Sequence, residues 1–186
     1  MALLRPVILR SLFPLNTNMA ATFNWAQTHG ASPGTAVDLG ASGNLFNFKD
    51  ADDATAANYS TYPITAGNNS YEVWLRMHFT DSFNRIDNLQ FWLSTDFSPA
   101  TGLSILWKGN NAGAYQTPIK TASTVADGAI PTSDPGTANV SIGTSLSGYL
   151  DAAGYSDYIV LQLQTTVSAA AGDTSLAVFT ANYDES

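Results

Sequence analysis

Hydrophobic and polar residues alternate along most of the chain from Thr22 onward, which is the pattern of β-strands with one buried face. The clearest case is YEVWLRMHF, residues 71–79, where the apolar face comprises Tyr71, Val73, Leu75, Met77 and Phe79. The opposite face comprises Glu72, Trp74, Arg76 and His78. NLQFWLS, residues 88–94, follows after a turn, so these two segments predict a hairpin.

Similar alternation predicts nine or ten short strands, separated by turn clusters rich in Gly, Asn, Asp and Pro. No segment shows a sustained 3.6-residue apolar period, and SGYLDAAGYS at 147–156 is long enough for one helical turn at most. We therefore predict an all-β fold, an antiparallel two-sheet β-sandwich with jelly-roll topology, in one domain over residues 19–186. Residues 117–144 form a long excursion, a segment outside the main predicted strands. We predict that this excursion is a contact loop.

Residues 1–18 are mostly apolar and are interrupted by Pro6 and Arg10. The uncharged stretch is shorter than the core of a signal peptide and too short to span a bilayer. One interpretation is an extended N-terminal arm that buries apolar side chains against a neighbouring subunit. The other is that translation starts at Met19. The contact residues of the predicted arm are Leu3, Leu4, Val7, Ile8, Leu9, Leu12 and Phe13.

Composition narrows the possible chemistry. Cysteine is absent, which excludes disulfides, thiol nucleophiles and cysteine-ligated metals. The net charge is -8, and an acidic surface repels the phosphate backbone of nucleic acids. We expect neither a nucleic-acid partner nor a membrane partner.

Catalytic motifs are missing from the sequence. The chain has no P-loop, no G-x-S-x-G and no H-E-x-x-H, and its two histidines define no triad. The row formed by Glu72, Arg76 and His78 is either an acid–base site or a polar sheet face with an ion pair, and we favour the polar face. We expect no enzymatic activity and no cofactor.

Three aspartates, Asp50, Asp52 and Asp53, lie in the segment NFKDADDATAANYS. Their oxygens suit Ca²⁺, but the segment lacks the glycine and the distant glutamate of an EF-hand loop. The favoured interpretation is that Asp52 or Asp53 caps a turn or short helix near DATAANY. Contact of this acidic loop with a partner is the other alternative.

Tryptophans are candidates for ligand stacking. Trp74 and Trp92 both lie opposite the apolar stripes of their strands, where they could form a shared exposed platform for a sugar. Burial under loops is the competing interpretation, since sandwiches often bury their tryptophans.

Seven segments after Met19 share the character of one group of known proteins: MAATFNWAQTHGASPG, GNLFNFKDADD, YPITAGNNSYEVWLR, NLQFWLS, IPTSDPGTANVSIG, GYSDYIVLQLQTT and ANYDE. In these segments the sequence resembles a family of small virion-associated proteins encoded in the structural modules of tailed phages. The resemblance implies a β-sandwich structural protein that decorates or cements the outside of a capsid. Members of this family begin near the equivalent of Met19, so residues 1–18 depart from it.

This resemblance also implies the location and the partners. The protein is expected on the capsid surface of the virion after synthesis in the host cytoplasm, bound to the major capsid protein or other virion subunits. We expect a homo-oligomer, specifically a trimer. A carbohydrate- or receptor-binding module of a fibre or tail is the alternative function.

Overall fold

The computed structural model describes residues 20–41, 46–98, 100–169 and 175–186. Within these ranges the fold is all-β, with nine strands, one short 3-10 helix at Ala56–Ser60 and no α-helix. The strands are β1 Thr22–His29, β2 Thr35–Gly40, β3 Val73–Thr80, β4 Ile86–Thr95, β5 Leu103–Lys108, β6 Gly128–Ala129, β7 Gly154–Tyr155, β8 Ile159–Thr165 and β9 Val178–Glu185. No helix in these ranges has the length and apolar character needed to cross a membrane.

The strands form two antiparallel sheets, as the alternation predicts. In the described part of the chain, the large sheet has the order β2-β1-β3-β8-β5-β6, with β7 also pairing with β3. The small sheet pairs β4 with β9. The prediction of an all-β, two-sheet sandwich is confirmed. Its jelly-roll topology stays a prediction, and the predicted arm lies outside the described residues.

The hydrophobic core lies between the two sheets and follows the period-two pattern. The predicted apolar stripe of β3 is buried from Val73 to Phe79; the stripe of β8 lies beside it in the same sheet, and the stripe of β4 faces both from the small sheet. Phe91 of β4 stacks on Phe179 of β9 with ring centroids 5.6 Å apart and meets Trp25 of β1 edge-on at 5.5 Å. The contact between Phe91 and Trp25 joins the small sheet to the large one.

The predicted hairpin between β3 and β4 is wrong. Strand β3 pairs with β1, β7 and β8 in the large sheet, whereas β4 pairs with β9 in the small sheet. The connection around Asp81, where the backbone adopts a φ of 64°, therefore crosses from one sheet to the other. Phe79 and Ile86, on either side of this crossing, are both fully buried. Two apolar stripes are buried equally well when their strands lie side by side in one sheet and when they face each other from two sheets. Alternation alone therefore does not show which arrangement forms.

The predicted excursion over residues 117–144 is mostly irregular and pairs with strands in places. Its short strand β6 pairs with β5, and the Ile142 amide and carbonyl bond those of Ser145. The Asn139 side chain bonds both the amide and the carbonyl of Phe91, at 2.8 Å each, as a neighbouring strand would. The excursion thus covers part of the edge of β4.

Candidate functional site

Residues 112–126 cover half of the outer face of the large sheet. Trp74 of β3 and Val160 of β8 point away from the core, yet both are 0% exposed because this segment lies over them. They belong to a second apolar cluster with Ala112 and Ala126. The rings of Tyr115 and Tyr158 meet Trp74 edge-on, with centroids 5.3 and 5.4 Å away.

A buried carboxylate holds this covering segment at Ile119 and Ser123. Glu72 is only 4% exposed and accepts hydrogen bonds from Trp74 Nε1 at 3.1 Å, from the Ile119 amide and from the Ser123 hydroxyl. Three donors from the protein itself therefore occupy this carboxylate.

A buried amide repeats the arrangement one strand away. Gln162 of β8 accepts a hydrogen bond from the Ser123 amide at 2.8 Å. Its own amide group donates to the carbonyls of Ser70, Ile119 and Thr121. Because every polar atom of Gln162 is bonded, the covering segment is fixed in one position on the sheet.

Three expectations from the sequence are corrected by the structure. Trp74 is not available to stack on a ligand, because residues 112–126 bury it. Glu72 and Arg76 form no ion pair, since Glu72 turns under the covering segment while Arg76 lies on the uncovered half of the face. The tryptophan pair is not a shared platform either, because Trp74 and Trp92 belong to different sheets.

The uncovered half of the face carries an arginine held between tyrosines. The Arg76 guanidinium carbon lies 4.7 Å from the ring centroid of Tyr155 and 4.9 Å from that of Tyr158, and Nε donates to the Ser156 carbonyl at 2.6 Å. His78 stacks on Tyr155 with centroids 4.1 Å apart and planes 8° from parallel. These contacts fix the direction of the guanidinium.

Arg76 differs from the other cationic side chains of the described ranges. Every other lysine or arginine there has a carboxylate within salt-bridge distance, in the pairs Lys49–Asp53, Arg85–Asp87, Lys108–Asp127 and Lys120–Asp50. Arg76 has none among these residues. On the same face, the Oδ2 atom of Asp38 in β2 lies 3.7 Å from His78 Nδ1.

The three aspartates of the acidic loop all bond within the chain. Asp52 accepts from the Gly30 amide at 2.8 Å, and Asp53 accepts from the Thr55 amide at 2.7 Å just before the 3-10 helix. The predicted capping of the turn near DATAANY is confirmed for Asp53, whereas Asp52 bonds a distant turn at Gly30. Asp50 pairs with Lys120 at 2.7 Å, and Asp53 pairs with Lys49, which is 3% exposed. Contact of Asp50, Asp52 and Asp53 with a partner stays a prediction.

Replacing Asp52 with asparagine is expected to change how stability depends on pH. Burial raises the pKa of the Asp52 carboxyl above 3.8, while the Gly30 amide, His29 and Lys49 lower it and Asp53 raises it. The native state therefore keeps a proton that the unfolded chain releases, so this group makes stability fall as pH rises from about 3.8 through the raised pKa.

The asparagine variant keeps an oxygen for the Gly30 amide and has no proton to lose. Urea unfolding is measured between pH 3 and pH 7, at about half-unit steps. The free energy of unfolding of the variant should rise relative to that of the natural protein as pH increases, and the difference should then stay constant. Parallel profiles for the two proteins would contradict the assignment.

The remaining predicted contact residues are placed as follows. Trp92 lies half-buried on the outer face of the small sheet. The arm residues Leu3 to Phe13 lie outside the described residues. An open surface groove of about 730 Å³ runs along Gly67–Asn69, Tyr71 and Ile119–Ala122, without a cluster of ionisable groups. The described chain holds no group of three or more His, Asp or Glu side chains placed to bind a metal.

Sequence reasoning missed Tyr155 and Tyr158 as partners of Arg76. The alternation in β3 correctly pointed Arg76 and His78 outward. Tyr155 reaches them because β7 pairs with β3 across a sequence separation of 77 residues from His78. Only the pairing of distant strands brings these rings together, and no local signal marks it.

A scan against protein-family models finds no match, and comparisons with curated proteins and with solved structures find none either.

Proposed function

We propose that this protein is a non-enzymatic structural component of a tailed-phage virion, specifically a decoration protein bound to the outside of the head. The proposal rests on what the buried polar groups of this protein bond to. Glu72, Gln162 and Lys49 bond to the protein's own loops, so these groups stabilise the surface. A folded domain with a fixed surface suits a protein that functions by adhering to other subunits.

The fold and the charge support this role physically. A sandwich with fastened loops presents a fixed surface to a lattice of coat subunits, and many copies on one lattice turn weak contacts into tight attachment. A net charge of -8 limits binding to DNA during assembly and keeps free subunits soluble. The proposal includes a homo-oligomer, a trimer, in which residues 1–18 reach across to a neighbouring subunit.

Deleting residues 1–18 is expected to abolish attachment to heads while leaving the fold unchanged. The apolar side chains of this segment gain free energy only when a partner buries them. The measurement is co-sedimentation of the full chain and of the shortened chain with heads stripped of the protein. Circular dichroism and the mass from light scattering serve as checks on fold and oligomeric state.

An Asp50→Asn variant gives a matched control, because it changes the acidic loop and keeps the arm. It is expected to reduce attachment less than the deletion does. Full co-sedimentation of the shortened chain would refute the role of the arm. Failure of the full chain to sediment with heads of its own phage would refute the decoration role itself.

Recognition of a carbohydrate receptor is the second candidate function. The observation that favours it is the partly exposed Tyr155 ring beside Arg76, which has no carboxylate partner in the described part of the chain. This surface replaces the tryptophan platform expected from the sequence.

A further inference from the structure

We propose that the outer face around Arg76 binds a sugar that carries a carboxylate, such as a hexuronate unit of an acidic polysaccharide. The site, here named the Arg76 patch, consists of Asp38, Ala26, Arg76, His78 and Tyr155. The inference rests on the second candidate function and is independent of attachment to a capsid.

The cation of the patch is already positioned for an anion. Tyr155 and Tyr158 flank the guanidinium, and the Ser156 carbonyl accepts its Nε–H, so the terminal amino groups are held in place without a carboxylate among the described residues. A carboxylate can accept from such a group with little loss of side-chain freedom. The net charge of -8 opposes binding of an anion, so the contact with a negatively charged ligand has to come from a cation such as Arg76, which has no carboxylate partner among the described residues.

The aromatic part of the patch suits the apolar face of a sugar ring. Tyr155 is 39% exposed, and His78 supports one face of its ring by parallel stacking at 4.1 Å. A supported ring is rigid, so packing a ligand against it costs little conformational entropy.

The spacing of the polar groups fits one sugar ring. Ala26 of β1 pairs with Arg76 on one side and with Asp38 on the other, so the three residues form one row across the sheet. Neighbouring strands lie about 4.8 Å apart, which separates the Cα atoms of Arg76 and Asp38 by roughly 10 Å. Ala26 itself is only 5% exposed, so a ligand that contacts both Arg76 and Asp38 passes above it.

Asp38 distinguishes a sugar from an acidic peptide. Its side chain is 52% exposed and can accept hydrogen bonds from hydroxyl groups. An aspartate or glutamate side chain brings the same negative charge as a hexuronate but offers no hydroxyl donor to offset its repulsion from Asp38. A hexuronate supplies both a carboxylate for Arg76 and hydroxyl donors for Asp38.

Titration of the full-length protein with sodium glucuronate, followed by two-dimensional amide NMR at constant ionic strength, tests the proposal. A single exposed site predicts saturable shifts with a Kd of about 1 mM, centred on β3 and β7. Methyl glucoside should bind about tenfold more weakly, because it lacks the charge-assisted bonds to the guanidinium. Acetate should bind more weakly than glucuronate as well, because it has no ring to pack on Tyr155.

Variants separate the proposed contacts from general effects. Arg76→Gln and Tyr155→Ala should each weaken glucuronate binding by about tenfold. Arg76→Lys keeps the charge but removes the planar guanidinium, which can donate two parallel hydrogen bonds to a carboxylate. An intermediate loss of affinity is therefore expected. Arg85→Gln is the matched control, because Arg85 also packs on a tyrosine, Tyr149 at 4.4 Å, but is paired with Asp87. It should leave binding unchanged.

Several results would overturn the proposal. These are the absence of shifts up to 100 mM glucuronate (roughly a hundred times the expected Kd), equal affinity for glucuronate and methyl glucoside, and unchanged binding in a folded Arg76→Gln or Arg76→Lys variant. Tighter binding of a triglutamate peptide than of glucuronate would assign the patch to an acidic protein partner instead. Because the titration uses free sugar and no heads, its failure leaves the co-sedimentation result unaffected.

Discussion

Replacing Trp74 with alanine is expected to lower the free energy of unfolding by about 3–5 kcal/mol. The indole is 0% exposed, and its removal leaves a cavity beneath residues 112–126, which pack on it through Ala112, Ala126 and Tyr115. The substitution also takes one of three donors from the buried Glu72 carboxylate. Both losses act on the layer that covers the large sheet, and equilibrium unfolding in urea measures their sum.

Two further variants resolve the causes. Trp74→Phe keeps much of the ring and removes the indole donor, so we expect a smaller loss of about 1–3 kcal/mol. Trp92→Ala is the control, because Trp92 lies half-buried on the outer face of the other sheet, and it should cost about 1 kcal/mol or less. Limited proteolysis should cut residues 112–126 faster in the Trp74→Ala variant alone. Equal losses for Trp74→Ala and Trp92→Ala would mean that the covering layer does not depend on the indole.

Replacing Asp53 with asparagine is expected to cost about 3 kcal/mol. The Lys49 ammonium donates to the Asp53 carboxylate and to the Thr55 carbonyl, and the lysine side chain is 2% exposed against 30% for the aspartate. Neutralising Asp53 leaves a positive charge that water cannot reach, and the cost of that buried charge dominates. Urea unfolding near pH 7 provides the measurement.

A double-mutant cycle tests whether the charge on Lys49 causes this loss. The double variant Lys49→Met with Asp53→Asn removes both charges and should recover most of the lost stability, because no ion is left buried. Asp50→Asn breaks the exposed pair with Lys120, whose side chain is 42% exposed, and should cost at most about 1 kcal/mol. Additive losses in the cycle, or similar effects of Asp50→Asn and Asp53→Asn, would contradict the buried-pair explanation.

Much of the fold follows from local patterns that the sequence displays directly. The apolar stripe from Val73 to Phe79 and the stripes of β4 and β8 face the core as predicted, because successive side chains of a strand point to opposite sides. The turn-capping role of Asp53 also follows from a short acidic side chain beside a free backbone amide. These features depend on a few neighbouring residues.

The candidate site was less predictable for a specific reason. The sequence placed Trp74 and Arg76 on the same outward face, and nothing in their own strand distinguishes them. Residues 112–126 bury Trp74, whereas β7 brings Tyr155 beside Arg76 and leaves both at the surface. Which outward residue is covered depends on where distant segments lie.

The sequence by itself determined the class of the fold, the inward face of each main strand and the absence of cysteine chemistry, because composition and period-two alternation are local properties of the chain. Only the tertiary structure decided that β3 and β4 belong to different sheets, that Glu72 and Gln162 fasten a covering layer, and that Arg76 has tyrosines around it and no carboxylate partner among the described residues. The physical reason is that strand pairing and loop burial join segments that are far apart in the chain. The free energies of strand pairing and of loop burial depend on all the arrangements that the whole chain can adopt.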